Sequence, residues 1–419
     1  MPFPTQKSLQ TYAELAVRVG LNLRAGQRLL INNPSTRGVL PHTAPLVREI
    51  AKAAYQAGAR YVDVIWGDEA LLKGRVQQAP RDSFDEFSKW QVRALEELLE
   101  NDGAHLTIRS NNPDLMSDED PEIVGQLQKT YLEHYAGFLK AIGENRINWL
   151  VITASGPDWA ARVFPDLGPA EAEEKLWEAI FAITRADQPD PVAAWEQHVR
   201  GLRARSDYLN ARQYAALHYK APGTDLTVGL PTGHFWNSAG SKAQNGIEYI
   251  ANLPTEEVFT LPHKEQINGH VSASLPLSYG GALMEGFSLT FENGHVVKAS
   301  AKKGEATLQK LIESDAGASS LGEVALVPHS SPISQRGHLF YDPLIDENAS
   351  CHLALGRAYK FTLQGGETLP DEEFAARGGN SSIVHVDFMV GSGSMDIDGL
   401  TADGKTEPVM RAGEWAFDV

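Results

Sequence analysis

Between Arg28 and Trp66 the chain changes hydrophobic period twice, and few folds accommodate that. Arg28-Leu29-Leu30-Ile31-Asn32, after Ala25-Gly26, reads as a short strand. The segment Thr43–Ala57 then sets Leu46, Val47, Ile50, Ala51, Ala54 and Tyr55 at helical spacing and stops at Gly58. Tyr61-Val62-Asp63-Val64-Ile65-Trp66 is apolar and β-branched again. A strand, a helix and a strand in that order form a right-handed crossover between parallel strands. Two more rounds follow: a helix around Val92–Leu99 with a strand at His105–Ile108, then a helix around Tyr131–Ile142 with a strand at Trp149–Ile152. A helix over Ser8–Val19 precedes them all. The expected first domain, residues 1–190, is therefore α/β with a mostly parallel sheet.

Nothing in that domain predicts a nucleotide site. The turn after the first strand, Asn32-Asn33-Pro34-Ser35-Thr36-Arg37-Gly38, has neither a G-x-G-x-x-G fingerprint nor a Walker lysine. Gly391-Ser392-Gly393 precedes a predicted hairpin at Ser394–Gly399 rather than a helix whose amides would hold phosphate.

At Asp187-Gln188-Pro189-Asp190-Pro191 the texture changes. Asp190 is placed to cap a helix that begins at Pro191 and carries Val192, Trp195, Val199 and Leu202. Beyond it come short strands and tight turns, among them Asp225–Val228, His270–Ala273 and a hairpin over Ser288–Val297 with Asn293-Gly294 at its tip. A second domain over residues 191–419, β-rich α+β, follows from this. Two cores suit 419 residues, since single cores rarely grow past roughly 250–300 residues. A net charge of −17 argues against a nucleic-acid partner. No stretch is apolar and long enough to span a bilayer, and no apolar leader opens the chain, so no membrane partner is expected. The one cysteine, Cys351, excludes an intramolecular disulfide and fits a cytoplasmic location.

The chemistry is concentrated in the second domain. His385 and Asp387 sit two apart in a run of Ile383, Val384, Val386, Phe388 and Val390, so on a strand they share one face while Val384, Val386 and Phe388 take the other. Upstream, Glu347, His352 and Tyr359 fall within fourteen residues beginning at Asp346. Two more carboxylates, Glu257 and Glu323, stand in apolar settings where an ionised group needs a pair or a metal. Imidazoles and carboxylates together suit borderline divalent metals. Cys351 beside His352 reads as structural, since alternation points it away. His234, His263 and His270 are scattered and read as structural or surface residues. H-E-x-x-H and Gly-x-Ser-x-Gly are both absent, which removes thermolysin-like and serine-hydrolase signatures.

Four motifs then occur in order: Asn252-Leu253-Pro254-Thr255-Glu256-Glu257-Val258-Phe259-Thr260; Leu321-Gly322-Glu323-Val324-Ala325-Leu326; Asp346-Glu347-Asn348 with His352, Ala354, Gly356 and Ala358-Tyr359; and His385, Asp387-Phe388-Met389 and Gly391-Ser392. In these the chain resembles the thermophilic aminopeptidases, co-catalytic metallopeptidases of the aminopeptidase T and aminopeptidase S type. The resemblance implies metal ligation by Glu257, Glu323, Glu347, His352, His385 and Asp387, and a catalytic role for Tyr359. It implies two divalent ions per chain, Zn²⁺ or Co²⁺ with Mg²⁺ or Mn²⁺ as alternatives. Small peptides with a free N-terminus would be the substrates, and a homodimer the assembly. Within that scheme one carboxylate must bridge, and Glu323 is the choice. Glu256 is either a general base or a group that points into solvent. The rival reading is a ring-cleaving dioxygenase with one non-haem Fe(II) on His352, His385 and Asp387; it leaves three carboxylates unused. A closed structural metal site fits less well, for want of thiolates.

Overall fold

The computed structural model describes residues 3–279 and 282–419. The chain divides into two compact units, Met1–Gln197 with Gly240–Pro254, and His198–Ala239 with Thr255–Val419. The division falls within the helix Pro191–Arg212, whose first turn is capped by Asp190: its Oδ1 accepts the Ala193 N–H at 3.1 Å.

In the first unit β1 (Arg28–Asn32), β2 (Tyr61–Val64), β3 (Ala104–Arg109) and β4 (Trp149–Thr153) form a parallel sheet in the order β2-β1-β3-β4. Central-strand residues such as Leu29, Leu30, Ile31, Leu106 and Ile108 are buried whichever way they point, as expected where helices cover both faces. The helix Ala44–Gln56 makes the first crossover, and Gly58, at φ +91°, turns the chain into β2. Helices Glu69–Gln78, Pro157–Val163 and Pro169–Ile183, which the hydrophobic pattern left unassigned, complete this unit together with those expected.

The second unit is antiparallel. Its larger sheet contains β5 (Ala216–Ala221), β6 (Thr224–Gly229), β8 (Ile267–Ser272), β9 (Ser288–Glu292), β10 (His295–Ser300), β14 (Asp396–Leu400), β15 (Thr406–Arg411) and β16 (Glu414–Trp415). Their order is β10-β9-β8-β6-β5-β14-β15-β16. The β9–β10 turn has φ of 50° at Asn293 and 88° at Gly294, the double left-handed geometry that Asn-Gly supplies at least cost. The segment expected to form a hairpin over Ser394–Gly399 contributes instead the strand β14, and the chain reverses after Leu400 to reach β15.

A smaller sheet holds β7 (Val258–Thr260), β11 (Leu321–Leu326), β12 (His352–Gly356) and β13 (His385–Met389), in the order β13-β12-β11-β7. Val258, Val324, Leu326, Leu353, Leu355, Val386 and Phe388 from one of its faces share a single core with Leu217, Tyr219, Leu226, Val228, Leu289 and Phe291 of the larger sheet. Each such side chain, fully buried, contributes roughly 1.5–3 kcal/mol. That core fixes the small sheet's register, because a one-residue slip in β13 would bring His385 and Asp387 inside and expel Val386 and Phe388.

Candidate metal centre

The other face of the small sheet carries the polar groups. Residues directly opposite one another in an antiparallel pair share a face. Asp387 on β13 is opposite Ala354 on β12, which is opposite Glu323 on β11. Small Ala354 thus separates two carboxylates and leaves space above itself. His385 is opposite Gly356, whose φ of +101° and close approach to the Val384 carbonyl leave no room for a Cβ. His352 opens β12, and Glu257 immediately precedes β7.

These groups meet in two overlapping triads. His352 Nε2 lies 3.1 Å from Glu257 Oε2 and 3.6 Å from Glu323 Oε1. His385 Nε2 lies 3.7 Å from Glu323 Oε2 and 3.5 Å from Asp387 Oδ1. Glu257, Glu323 and His352 each offer a ligand atom within 4.8 Å of the others, and so do Glu323, His385 and Asp387. Glu323 is common to both and turns a different oxygen to each imidazole.

Each imidazole is oriented from behind. Nδ1 of His352 donates to the Ser350 carbonyl at 3.1 Å, and Nδ1 of His385 to that of Arg357 at 2.7 Å. A proton held on Nδ1 leaves the Nε2 lone pair directed at the carboxylates, the tautomer that metal-ligating histidines use.

In the metal-free protein this arrangement is electrostatically costly. Burial pushes the carboxyls of Glu323 and Glu347 up; His352 and His385 partly offset the rise at Glu323, while Asp387 and Glu257 push Glu347 further, well above its usual range. Burial alone would lower both histidines. Glu257 and Glu323 instead hold His352 well above its usual value, while Asp387 and Glu323 hold His385 at about 9. Burial works to raise Asp387, but the two imidazoles pull it down. Among the described residues its Oδ1 is buried without a hydrogen bond. An orphaned carboxylate oxygen, two imidazole Nε2 atoms aimed inward and clustered like charges are what a divalent cation resolves by displacing the Nε2 protons, so the residues present fit a metal.

Glu347 joins neither triad. It stands half-buried in the one-turn 3₁₀ helix Glu347–Ala349, where its carboxyl senses the charges of Asp387, Glu257 and Glu323. Tyr359 lies just past β12, with its ring 4.8 Å from that of His385 and stacked at 5.3 Å on Phe361, which meets Phe259 edge-on at 6.2 Å. Burial raises the phenol's pKa, and the Glu323 and Asp387 charges add to it, so it remains a neutral donor at pH 7. Among the described residues no hydrogen bond engages its hydroxyl.

Glu256 does not point into solvent. It is 3% exposed, with a carboxylate oxygen 3.6 Å from His198 Nε2. Cys351 faces the core, its Sγ donating to the Val327 carbonyl at 3.3 Å. His234 is buried on the Pro231 carbonyl, and His270 is exposed on the larger sheet; neither these two nor His263 enters a triad. The parts taken by His198 and Asn348 left no mark in the sequence, because spacing cannot report a hydrogen bond across 57 or 92 residues.

An α/β unit followed by a β-rich unit with clustered, inward-facing carboxylates and imidazoles is the build of a metalloenzyme, and comparison with known proteins makes the class a metalloprotease. Residues 5–415 match the family model described as thermophilic metalloprotease (M29), and the chain belongs to that family. It is 49% identical to Aminopeptidase 2 of Geobacillus stearothermophilus over 99% of both chains, and 45% identical to Aminopeptidase T of Thermus thermophilus over 98% of both. The solved structure of wild-type AmpT from Thermus thermophilus superposes with a TM-score of 0.92 at 44% identity, covering 98% of this chain and 100% of that one.

Proposed function

We propose that the protein is an aminopeptidase that removes the first residue of small peptides with a free N-terminus, using two divalent ions. The observation that carries this reading is the pair of triads sharing Glu323. Glu257 and His352 would hold one ion and His385 and Asp387 the other, with Glu323, common to both groups, shared between them and Glu347 as a further carboxylate ligand. All donors are nitrogen or carboxylate oxygen, which suits Zn²⁺ or Co²⁺ and also admits Mn²⁺ or Mg²⁺. Ions bound there supply a water acidic enough to ionise near neutral pH and Lewis-acid polarisation of the scissile carbonyl.

The chain's own groups do the rest. Four carboxylates balance the charge of two divalent ions, so the loaded centre is near neutral and buries at little cost. The backbone carbonyls of Ser350 and Arg357 hold the imidazoles in one tautomer. The Tyr359 hydroxyl, neutral and without a hydrogen bond among the described residues, donates to the carbonyl oxygen as negative charge develops on it. Its stacking on Phe361 fixes the ring, so little reorganisation accompanies that bond.

The ring-cleaving dioxygenase needs only His352, His385 and Asp387. Glu323 lies between its two histidines and Glu257 approaches one of them to 3.1 Å, a surplus of negative charge that a single Fe(II) does not use. The lone cysteine is buried and reduced, in keeping with a cytoplasmic enzyme; the assembly is a homodimer, to be read from sedimentation. Among the described residues no helix is long and apolar enough to cross a membrane, and the acidic surface makes nucleic acid no partner.

The test is hydrolysis of a dipeptide or aminoacyl anilide by the metal-loaded protein. Release of the first residue, abolished by N-acetylation of the substrate and by chelation, is the expected result. Oxygen uptake with a dihydroxypyridine and Fe(II), without peptide cleavage, overturns it.

A further inference from the structure

The peptide group joining Thr255 to Glu256 is gripped at both ends. Its carbonyl oxygen accepts from Nε2 of His198 at 2.8 Å, and its N–H donates to Oδ1 of Asn348, also at 2.8 Å. One peptide plane is thereby fixed from two directions, immediately before Glu257. Asn348 is fully buried and anchored in turn: its Nδ2 donates to the Leu344 carbonyl at 3.0 Å, and its own carbonyl accepts from Ser331 Oγ at 3.2 Å. It is also the residue after Glu347. A single carboxamide therefore ties the segment bearing Glu257 to the turn bearing Glu347.

We propose that His198 and Asn348 are positioning residues for the metal centre, clamping the Thr255–Glu256 peptide so that Glu257 meets His352 and Glu323. The inference rests on the two-metal reading above. Glu257 immediately precedes the three-residue strand β7, and the direction of its side chain depends on the peptide plane behind it. Rotation of that plane swings the carboxylate away from His352, 3.1 Å off, while leaving the sheet register intact. Loss of one outer partner of a metal ligand costs about 10–100-fold in metal affinity. The two clamps differ in reach. His198 acts on Glu257 through the peptide that precedes it, so its removal loosens the ion shared by Glu257, Glu323 and His352. Asn348 joins two carboxylate-bearing segments, so its removal loosens both ions.

The experiment is a Co²⁺ titration of the full chain, followed by visible absorption and by competition with a chromophoric chelator. His198→Phe, which deletes the donor and retains a ring, is expected to weaken one ion by about 10–100-fold and leave the other within threefold. His198→Gln, whose amide nitrogen takes the Nε2 position, is expected to restore the lost affinity; a general loosening of the fold would not be rescued so selectively. Asn348→Leu is expected to weaken both ions, and if that variant fails to fold, the two His198 variants decide alone. Wild-type protein binding two ions, with His198→Phe binding both as tightly, overturns the clamp and leaves the two-metal reading standing. Wild-type protein that takes up no divalent ion overturns both.

Discussion

Glu323→Gln is the substitution whose effect the site geometry defines most sharply. The two oxygens of Glu323 lie 3.6 and 3.7 Å from imidazoles of different triads, so one unit of negative charge serves both halves of the centre. Glutamine keeps the shape and one acceptor oxygen, removes the charge and puts a non-ligating NH2 in place of the second oxygen. At a separation of about 4 Å and an effective dielectric near 20, opposite unit charges attract by about 4 kcal/mol. Each ~1.4 kcal/mol is a factor of ten in affinity, which sets a loss on the order of 10³-fold for each ion. Burying the carboxylate costs something that glutamine avoids, as its raised pKa records, so the expected net loss is about 10²–10³-fold. Competition with a chromophoric chelator measures it, with near-ultraviolet dichroism of the metal-free protein as the check on fold. Both ions weakened together is the expected result. Weakening of one ion alone would show that Glu323 is a terminal ligand, and unchanged affinities would remove it from the centre.

Glu257→Gln and Asp387→Asn should each weaken a different ion, which a titration of the two variants side by side resolves. Tyr359→Phe should lower kcat by about 10²–10³, the usual cost of one oxyanion donor, while both ions and Tm are retained; a variant with most of its kcat would make the tyrosine structural. The gap in Tm between metal-loaded and chelated protein should widen from pH 6 to pH 8.5. The folded, metal-free chain holds protons on Glu347, His352 and His385 that the unfolded chain releases nearer 4.5 and 6.5, so its stability falls as pH rises toward about 9. Asp387, with its depressed pKa, acts in the opposite sense but only below its ordinary 3.8, outside that window. Bound metal replaces those protons, so a gap that narrows with pH would count against the assignment.

Much of this was legible in the sequence, for identifiable reasons. The first unit's strands and crossover helices were readable because period 2 and period 3.6 alternate cleanly there. Helix Glu69–Gln78 was not, since Val76 is its one fully buried residue and no apolar stripe marks it. Pro169–Ile183 escaped for the opposite reason: Ala172, Leu176, Trp177, Ala179, Ile180, Phe181 and Ile183 bury most of its circumference and blur the period. In the site, the shared face of His385 and Asp387 followed from strand alternation alone. That Glu323 would turn one oxygen to each histidine did not, because it depends on Ala354 lying between β11 and β13. Glu256 misled for a similar reason. It is polar and next to a ligand, yet the chain enters β7 in a direction that buries it beside His198.

The number of ions in the active enzyme separates a two-metal centre from a single-metal one. Protein stripped by chelation, reloaded with Zn²⁺ or Co²⁺ in steps and dialysed should regain aminoacyl-anilide hydrolysis as the metal content approaches two ions per chain, with full activity at two. Full activity at one ion per chain would contradict it.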